Sequence, residues 1–235
     1  MKKIVIMLAL LCAAHLSAQS VLQQFVVVSR GVGTVSDMDL PGPTAEGSTL
    51  IAMPYEFTPG VKVVSVTDNA PAGGNTYKQV PGSVASCDGA LLDLWYCEKC
   101  NPGVTELKFH LSGHTQMSLN GFLEVSGLET TSVLDGEGVH VNDGTRASDG
   151  TELGPKITTS ANDFIVARYH SAPEPRPTAA TAPWTFRPSY AYLSNSSPGA
   201  YQPTLTGKGT GKYCMGVAAF KNAASAPVTA QPSQK

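Results

Sequence analysis

Apolar and polar residues alternate with a period of two along most of this chain, and clusters of turn-forming residues break the alternation at short intervals. Residues 61–80, VKVVSVTDNAPAGGNTYKQV, set the pattern. Val61, Val63, Val64 and Val66 are β-branched and suit a pleated, half-buried surface. Asp68-Asn69, Pro71, Gly73-Gly74 and Asn75 are turn formers, because Gly and Asn accept positive φ and Pro presets it. Thr76, Tyr77 and Val80 resume the strand pattern, so the stretch predicts a β-hairpin.

Similar patterning predicts strands at 22–29, 49–57, 89–97, 104–111, 117–126, 163–170, 184–193, 201–205 and 212–221. Pro54 bends the second of these or places it at a sheet edge. In 104–111, Thr105, Leu107, Phe109 and Leu111 share one face and Glu106, Lys108 and His110 the other, as in a sheet with one wet side. Residues 30–48, 128–154 and 171–182 are rich in Gly, Pro, Asp and Ala and read as loops. No stretch after the leader spaces its apolar residues helically, with caps, over ten residues. Short strands between frequent turns predict an all-β fold, an antiparallel two-sheet sandwich of jelly-roll type. No repeat of 20–50 residues appears, which sets propellers and solenoids aside.

The ends behave differently. Lys2-Lys3, an apolar run over 4–11 and small residues to Ala18 have the layout of a secretory signal peptide, too short to cross a bilayer as a helix. Leu11 is too bulky before Cys12 for a lipoprotein site. The expected organisation is a leader over 1–18, one β-sandwich domain over 19–221, and a disordered tail of Pro, Ala, Ser and Gln over 222–235. With no membrane anchor visible, the mature chain is expected outside the cytoplasm, secreted or periplasmic.

Charge narrows the partners. Charged residues make up 14% of the chain and the net charge is −2, against a usual charged quarter. No basic patch for nucleic acid and no polybasic membrane signal is present. A glycan, a protein surface or another copy of the chain remains.

Candidate chemistry is thin. Cys97, Cys100, His110 and His114 read C-x2-C-x9-H-x3-H, but strand geometry sets His110 roughly 20 Å from the cysteines, against about 2 Å for a zinc–nitrogen bond. Export into an oxidising compartment favours disulfides. If Asp88-Gly89 is a tight turn, Cys87 lies at the far end of its strand from Cys97. Cys97–Cys100 with Cys87–Cys214 is then the preferred pairing of three. Asp135, Asp143 and Asp149 could offer oxygens to calcium, though each precedes a Gly in a common turn dipeptide. No cofactor other than calcium is suggested. Glu124, Glu129 and Asp93 are carboxylates a glycosidase could use, but no nucleophile elbow or paired constellation accompanies them. His140 and His170 stand alone. Among the aromatics, Trp95 belongs to an apolar strand, whereas Trp184, Phe186, Tyr190 and Tyr192 could form an exposed platform on which sugars stack, with core packing as the plainer alternative. Asn195-Ser196-Ser197 fits a glycosylation sequon and marks a surface loop.

VTDNAPAGGNTY, LWYC, FLEVSGLETTSVLD, ITTSANDFIVA, APWTF and VAAFK follow one another in this order over 21–221. The succession resembles a family of exported bacterial β-sandwich domains, often of unassigned activity and sometimes attached to surface proteins. The resemblance implies the sandwich and the export, and carries over no catalytic or binding residue. The cysteines depart from its usual pattern. The function expected from these observations is a non-catalytic exported binding or adhesion module, for glycans or a surface partner. The alternatives are a structural subunit assembling through strand edges, for which 22–29 supplies a free edge, and a polysaccharide-active enzyme.

Overall fold

The computed structural model describes residues 19–172 and 176–223. The leader over 1–18 and the tail from 224 onward lie outside the described residues. The chain runs through β1 (Ser20–Asp39), β2 (Thr49–Met53), β3 (Tyr55–Glu56), β4 (Val63–Asp68), β5 (Lys78–Gln79), β6 (Ala85–Cys87), β7 (Ala90–Leu92), β8 (Trp95–Cys97) and β9 (Glu106–Ser126). It continues through β10 (Val139–Thr145), β11 (Thr151–Leu153), β12 (Ile157–Thr159), β13 (Asp163–Ala172), β14 (Ala179–Ala180) and β15 (Thr185–Arg187). β16 (Tyr190–Ser196), β17 (Gly199–Tyr201), β18 (Thr204–Thr206) and β19 (Lys212–Lys221) complete it. No helix occurs among the described residues, so the all-β class and its antiparallel sheets are as the alternation implies.

β1 to β9 form a nine-stranded sheet whose backbone is a long antiparallel ribbon, β1 against β9, from Ser20↔Ser126 to Asp39↔Glu106. Along its other edge β9 meets three strands in succession: β4 at Leu107–Leu111, β3 at Ser118 and β2 at Gly121–Val125. This sheet curls into a half-barrel. Met38, Leu50, Phe109, Phe122 and Trp95 fill the inside of the curl.

The second sheet has the order β10-β19-β13-β16-β15. Its inner face, with Phe164, Val166, Ala218 and Phe220, packs on Ile51, Met53, Leu123 and Val125 of the first sheet. Its outer face is also covered: Ile165, Ala167, Met215 and Val217 pack with Ile157, Trp184 and Leu205 beneath the short sheets β11-β18-β14 and β12-β17. Burial on both faces is why β13 and β19 read as continuous apolar runs rather than alternating ones.

Several elements differ from the sequence reading. Residues 61–80 are not a hairpin, since β4 pairs with β9 and β5 with β8. The cause is Asp68, whose carboxylate accepts hydrogen bonds from the backbone of Ala70 and Asn75, from Asn75 Nδ2 and from Tyr77 OH. These bonds hold the connection as a folded loop and carry the chain to another edge. Residues 30–39 are strand rather than loop, because β9 offers a partner along their length and register shifts at Arg30/Gly33 and Gly33/Val35 absorb the glycines. The expected strands 104–111 and 117–126 are one strand, β9. The expected loop 128–154 contains β10 and β11. The strand expected at 89–97 breaks at Asp93-Leu94, where the Asp93 carboxylate accepts from the Leu94 backbone. Asn222 and Ala223, placed in the tail, are tied to the domain through a bridge to Leu128 and a hydrogen bond to the Gly127 carbonyl.

Candidate functional site

β3, β4, β5 and β7 surround a cavity of about 240 Å³. Pro54, Val63, Val84 and Leu91 give it apolar walls, and Glu56, Lys62, Gln79 and Asp93 bring polar groups to it. Pairing puts Glu56 opposite Leu91 of β7 and Ser118 of β9, so these side chains share one face of the sheet. That face is the inner surface of the curl. Beside Glu56 lies a buried polar floor in which Asn120 Nδ2 donates to Ser36 Oγ at 2.7 Å and Ser36 and Ser118 share a further bond of 2.7 Å.

The two carboxyls in this wall are held differently. Asp93 is fully engaged: it accepts from Gln79 Nε2 at 2.6 Å, Trp95 Nε1 at 2.8 Å, the Leu94 N–H at 2.7 Å and Ser83 Oγ at 3.4 Å. Burial still pushes it up to about 6, with those donors pulling the other way. Glu56 is 1% exposed, and neither of its oxygens meets a donor among the described residues. Burial pushes it up to about 7, opposed by the positive charge of Arg168. A buried carboxyl with no donor is costly unless it is neutral or something outside the protein meets it.

Arg168 lies behind this wall, wholly buried in β13 and facing the first sheet. Its Nη1 donates to the Ser189 carbonyl at 3.0 Å and its Nη2 to the Leu119 carbonyl. Nε has no acceptor among the described residues. Burial lowers the guanidinium to about 10. It joins the two sheets through carbonyls, and no carboxylate among the described residues forms an ion pair with it.

The residues expected to carry function from sequence are elsewhere. Trp184 and Tyr190 are 8% and 2% exposed and belong to the core, so they present no platform. Tyr190 OH donates to Gln24 Oε1 at 2.9 Å. Tyr192 is half-buried, stacked on Phe164 at 5.4 Å with the Arg187 guanidinium 6.0 Å from its ring centre. The first sheet covers the face of β16 that carries Tyr190 and Tyr192, which puts these rings into the packing rather than out of it. Asp135, Asp143 and Asp149 are dispersed, before β10, within β10 and in the turn before β11: Asp135 accepts from Ser160, Asp143 from the Asp88 N–H and Asp149 from the Thr151 N–H. No group of three His, Cys, Asp or Glu able to hold a metal occurs among the described residues. Glu124 is buried and braces the 42–48 loop, accepting from Gln23 Nε2, the Ala45 N–H and Ser48 Oγ.

Cys87–Cys214 and Cys97–Cys100 are disulfides, the pairing preferred from the sequence. The first ties β6 to β19 and so joins the two sheets. Among the described residues no helix is long and apolar enough to cross a membrane.

Motif patterns do not single out Glu56, although its signal is visible: it is the one charged residue in LIAMPYEF, an otherwise apolar or aromatic run. A lone carboxylate there implies either burial with a partner or a site. Asp93 carries the same signal in GALLDLWYC. Comparison of the chain with protein-family models, with curated proteins and with solved structures finds no match.

Proposed function

We propose that this chain is an exported, non-catalytic binding module whose ligand enters the cavity at the mouth of the half-barrel, between Glu56, Asp93 and β4. The observation that carries the reading is Glu56, buried at the cavity wall with two oxygens that no described residue serves. A few polar groups converging in a mostly apolar concavity are the usual make-up of a small-ligand site. Two disulfides and the leader-like first 18 residues support export. Raised carboxyls in one cavity are also what an acid–base enzyme would use. Asp93, however, has its oxygens engaged by four donors, so we read the pair as a binding wall. The test is retention of the purified chain on immobilised extracellular polysaccharides, alongside Val84→Phe, which fills the cavity. Retention by the parent and loss in the variant supports the reading; equal retention by both contradicts it.

A second reading has its own observation. β1 pairs only with β9 among the described strands, so its other edge is free along a 20-residue strand. Leu22, Phe25 and Val28 on it are 44%, 39% and 49% exposed. An edge without charge or Pro over 21–29 invites strand pairing. Assembly through β1 predicts a concentration-dependent dimer by sedimentation, lost in Val26→Pro; a monomer at all concentrations contradicts it.

A further inference from the structure

We infer that β1 carries a self-recognition edge: two copies of this chain pair their 20–29 stretches antiparallel about a two-fold axis at Phe25, joining the two curled sheets into one. This rests on the second reading above, assembly through β1, and adds to it the partner, the direction and the register.

The side chains of this stretch are disposed the opposite way from those of a solvated edge. Over 21–29 only Leu22, Phe25 and Val28 are exposed, and all three are apolar. The two glutamines between them are bonded to neighbouring elements instead. Gln23 Nε2 donates to Glu124 Oε2 at 2.8 Å and to the Pro43 carbonyl at 3.1 Å, while Gln24 Oε1 accepts from Tyr190 OH at 2.9 Å and from Arg187 Nε at 3.1 Å. Edges that border water ordinarily present charge or Pro. The other large apolar side chains exposed among the described residues, Val64 and Leu153, lie one on β4 and one on β11. β9 pairs with β1 on one side and no described strand pairs with it on the other, so its outer backbone groups are open to a further strand. The bonds of Gln24 to β15 and β16 hold β1 in place as a template for it.

Spacing selects the partner. An antiparallel pair with its axis at position 25 sets residues equally far from 25 opposite one another. Phe25 then meets Phe25 of the second copy, and Leu22 of each copy meets Val28 of the other, so every exposed apolar side chain covers another. With the axis at 24 or 26, none of the three meets another. Aromatic and aliphatic pairs across strands are the contacts that stabilise a sheet. No charged residue lies within 20–29, so a second copy brings no like charge to the seam. An unrelated strand would need the same spacing by coincidence, whereas a second copy supplies it by symmetry. A surface that is its own complement closes after two copies rather than growing into a filament.

The experiment follows assembly of the exported, purified chain by sedimentation, and its register by a short thiol cross-linker on added cysteines. In this register Leu22 lies about 20 Å from its own counterpart but beside Val28 of the second copy. The expected result is a dimer in which Phe25→Cys cross-links to itself, Leu22→Cys and Val28→Cys cross-link only when the two variants are mixed, and Val64→Cys stays uncross-linked. Phe25→Lys is expected to weaken the dimer about tenfold or more, because an aromatic pair is lost and like charges meet at the axis. Val64→Lys should leave it unchanged. A dimer that is lost in Val26→Pro, but in which Leu22→Cys and Val28→Cys each cross-link to themselves, overturns the antiparallel axis and leaves assembly through β1 standing. A monomer at every concentration removes both. A dimer that survives Val26→Pro and Phe25→Lys alike lies on another surface and also overturns both.

Discussion

Ser36 Oγ lies 2.7 Å from Ser118 Oγ, although the partner of Ser36 across the ribbon is Phe109 and Ser118 comes nine positions later on β9. An extended strand would set those positions about 30 Å apart. The contact exists because the ribbon bends between them, at the register shift from Gly33↔Thr115 to Val35↔His110, where four residues of β9 stand against one of β1. Asn120 Nδ2 completes the cluster on Ser36 Oγ. We expect Ser118→Val to lower stability by about 1–3 kcal/mol, since it leaves buried hydroxyl and amide groups short of a partner. Urea unfolding checks this; an unchanged midpoint would mean that the cluster does not hold the curl.

The two disulfides should differ sharply. Cys87–Cys214 closes a separation of 127 residues and Cys97–Cys100 a separation of three. Restriction of the unfolded chain grows with loop length, so replacing Cys87 and Cys214 by Ala is expected to cost about 2–5 kcal/mol, and replacing Cys97 and Cys100 much less. Unfolding free energies of the two double variants decide it, and equal losses would count against the sheet-joining role of the first bridge.

Stability should fall on the alkaline side of neutrality. Burial raises Glu56 from 4.5 to about 7, Asp93 from 3.8 to about 6 and, with Asp135 beside it, Asp163 from 3.8 to about 7. Each binds its proton more tightly folded than unfolded, so its contribution is complete below the ordinary value and is lost as pH rises through the raised one. His170 runs the other way: burial, then Arg168, lowers it from 6.5 to about 3, so its contribution holds above 6.5 and is lost as pH falls. Between there and about pH 8 the carboxyls outweigh the little of the His170 change that remains. Between pH 6.5 and about pH 8 the unfolding free energy is expected to drop, by about 1 kcal/mol from Glu56 alone. Glu56→Gln should flatten the drop by that amount. A level profile in the parent chain would contradict the burial of these groups.

Trp184→Ala should damage folding rather than recognition. Trp184 packs with Ile165, Met215 and Leu205 on the outer face of the second sheet, and truncating a buried aromatic costs about 3–5 kcal/mol. Expression and melting temperature are expected to fall together. A stable variant with weakened ligand binding would restore the surface platform that the sequence pattern suggested.

That contrast shows what the sequence could disclose. Alternation and turn dipeptides made the strand class legible, and Asp88-Gly89 marks the tight turn between β6 and β7, where both residues take positive φ. The cysteine pairing followed from that turn. Partner choice was not legible, because it is decided at long range. The loop 69–77 looks like a hairpin turn until Asp68 binds Asn75 and Tyr77 and sends the chain elsewhere. Aromatic placement failed for a related reason: Tyr190 and Tyr192 alternate as a half-exposed strand would, but the first sheet covers their face, and the third layer of short strands covers the face that carries Trp184. Glu56 shows in the sequence only as a lone charge in an apolar run, and its burial beside a cavity is what the fold adds.

The most direct test of the cavity as the binding site is a backbone resonance map of the chain with whichever extracellular glycan retains it. The account predicts that the perturbed amides cluster at residues 56, 63, 79, 84, 91 and 93, around the cavity. Perturbations confined to residues 184–192, with the cavity silent, would contradict it.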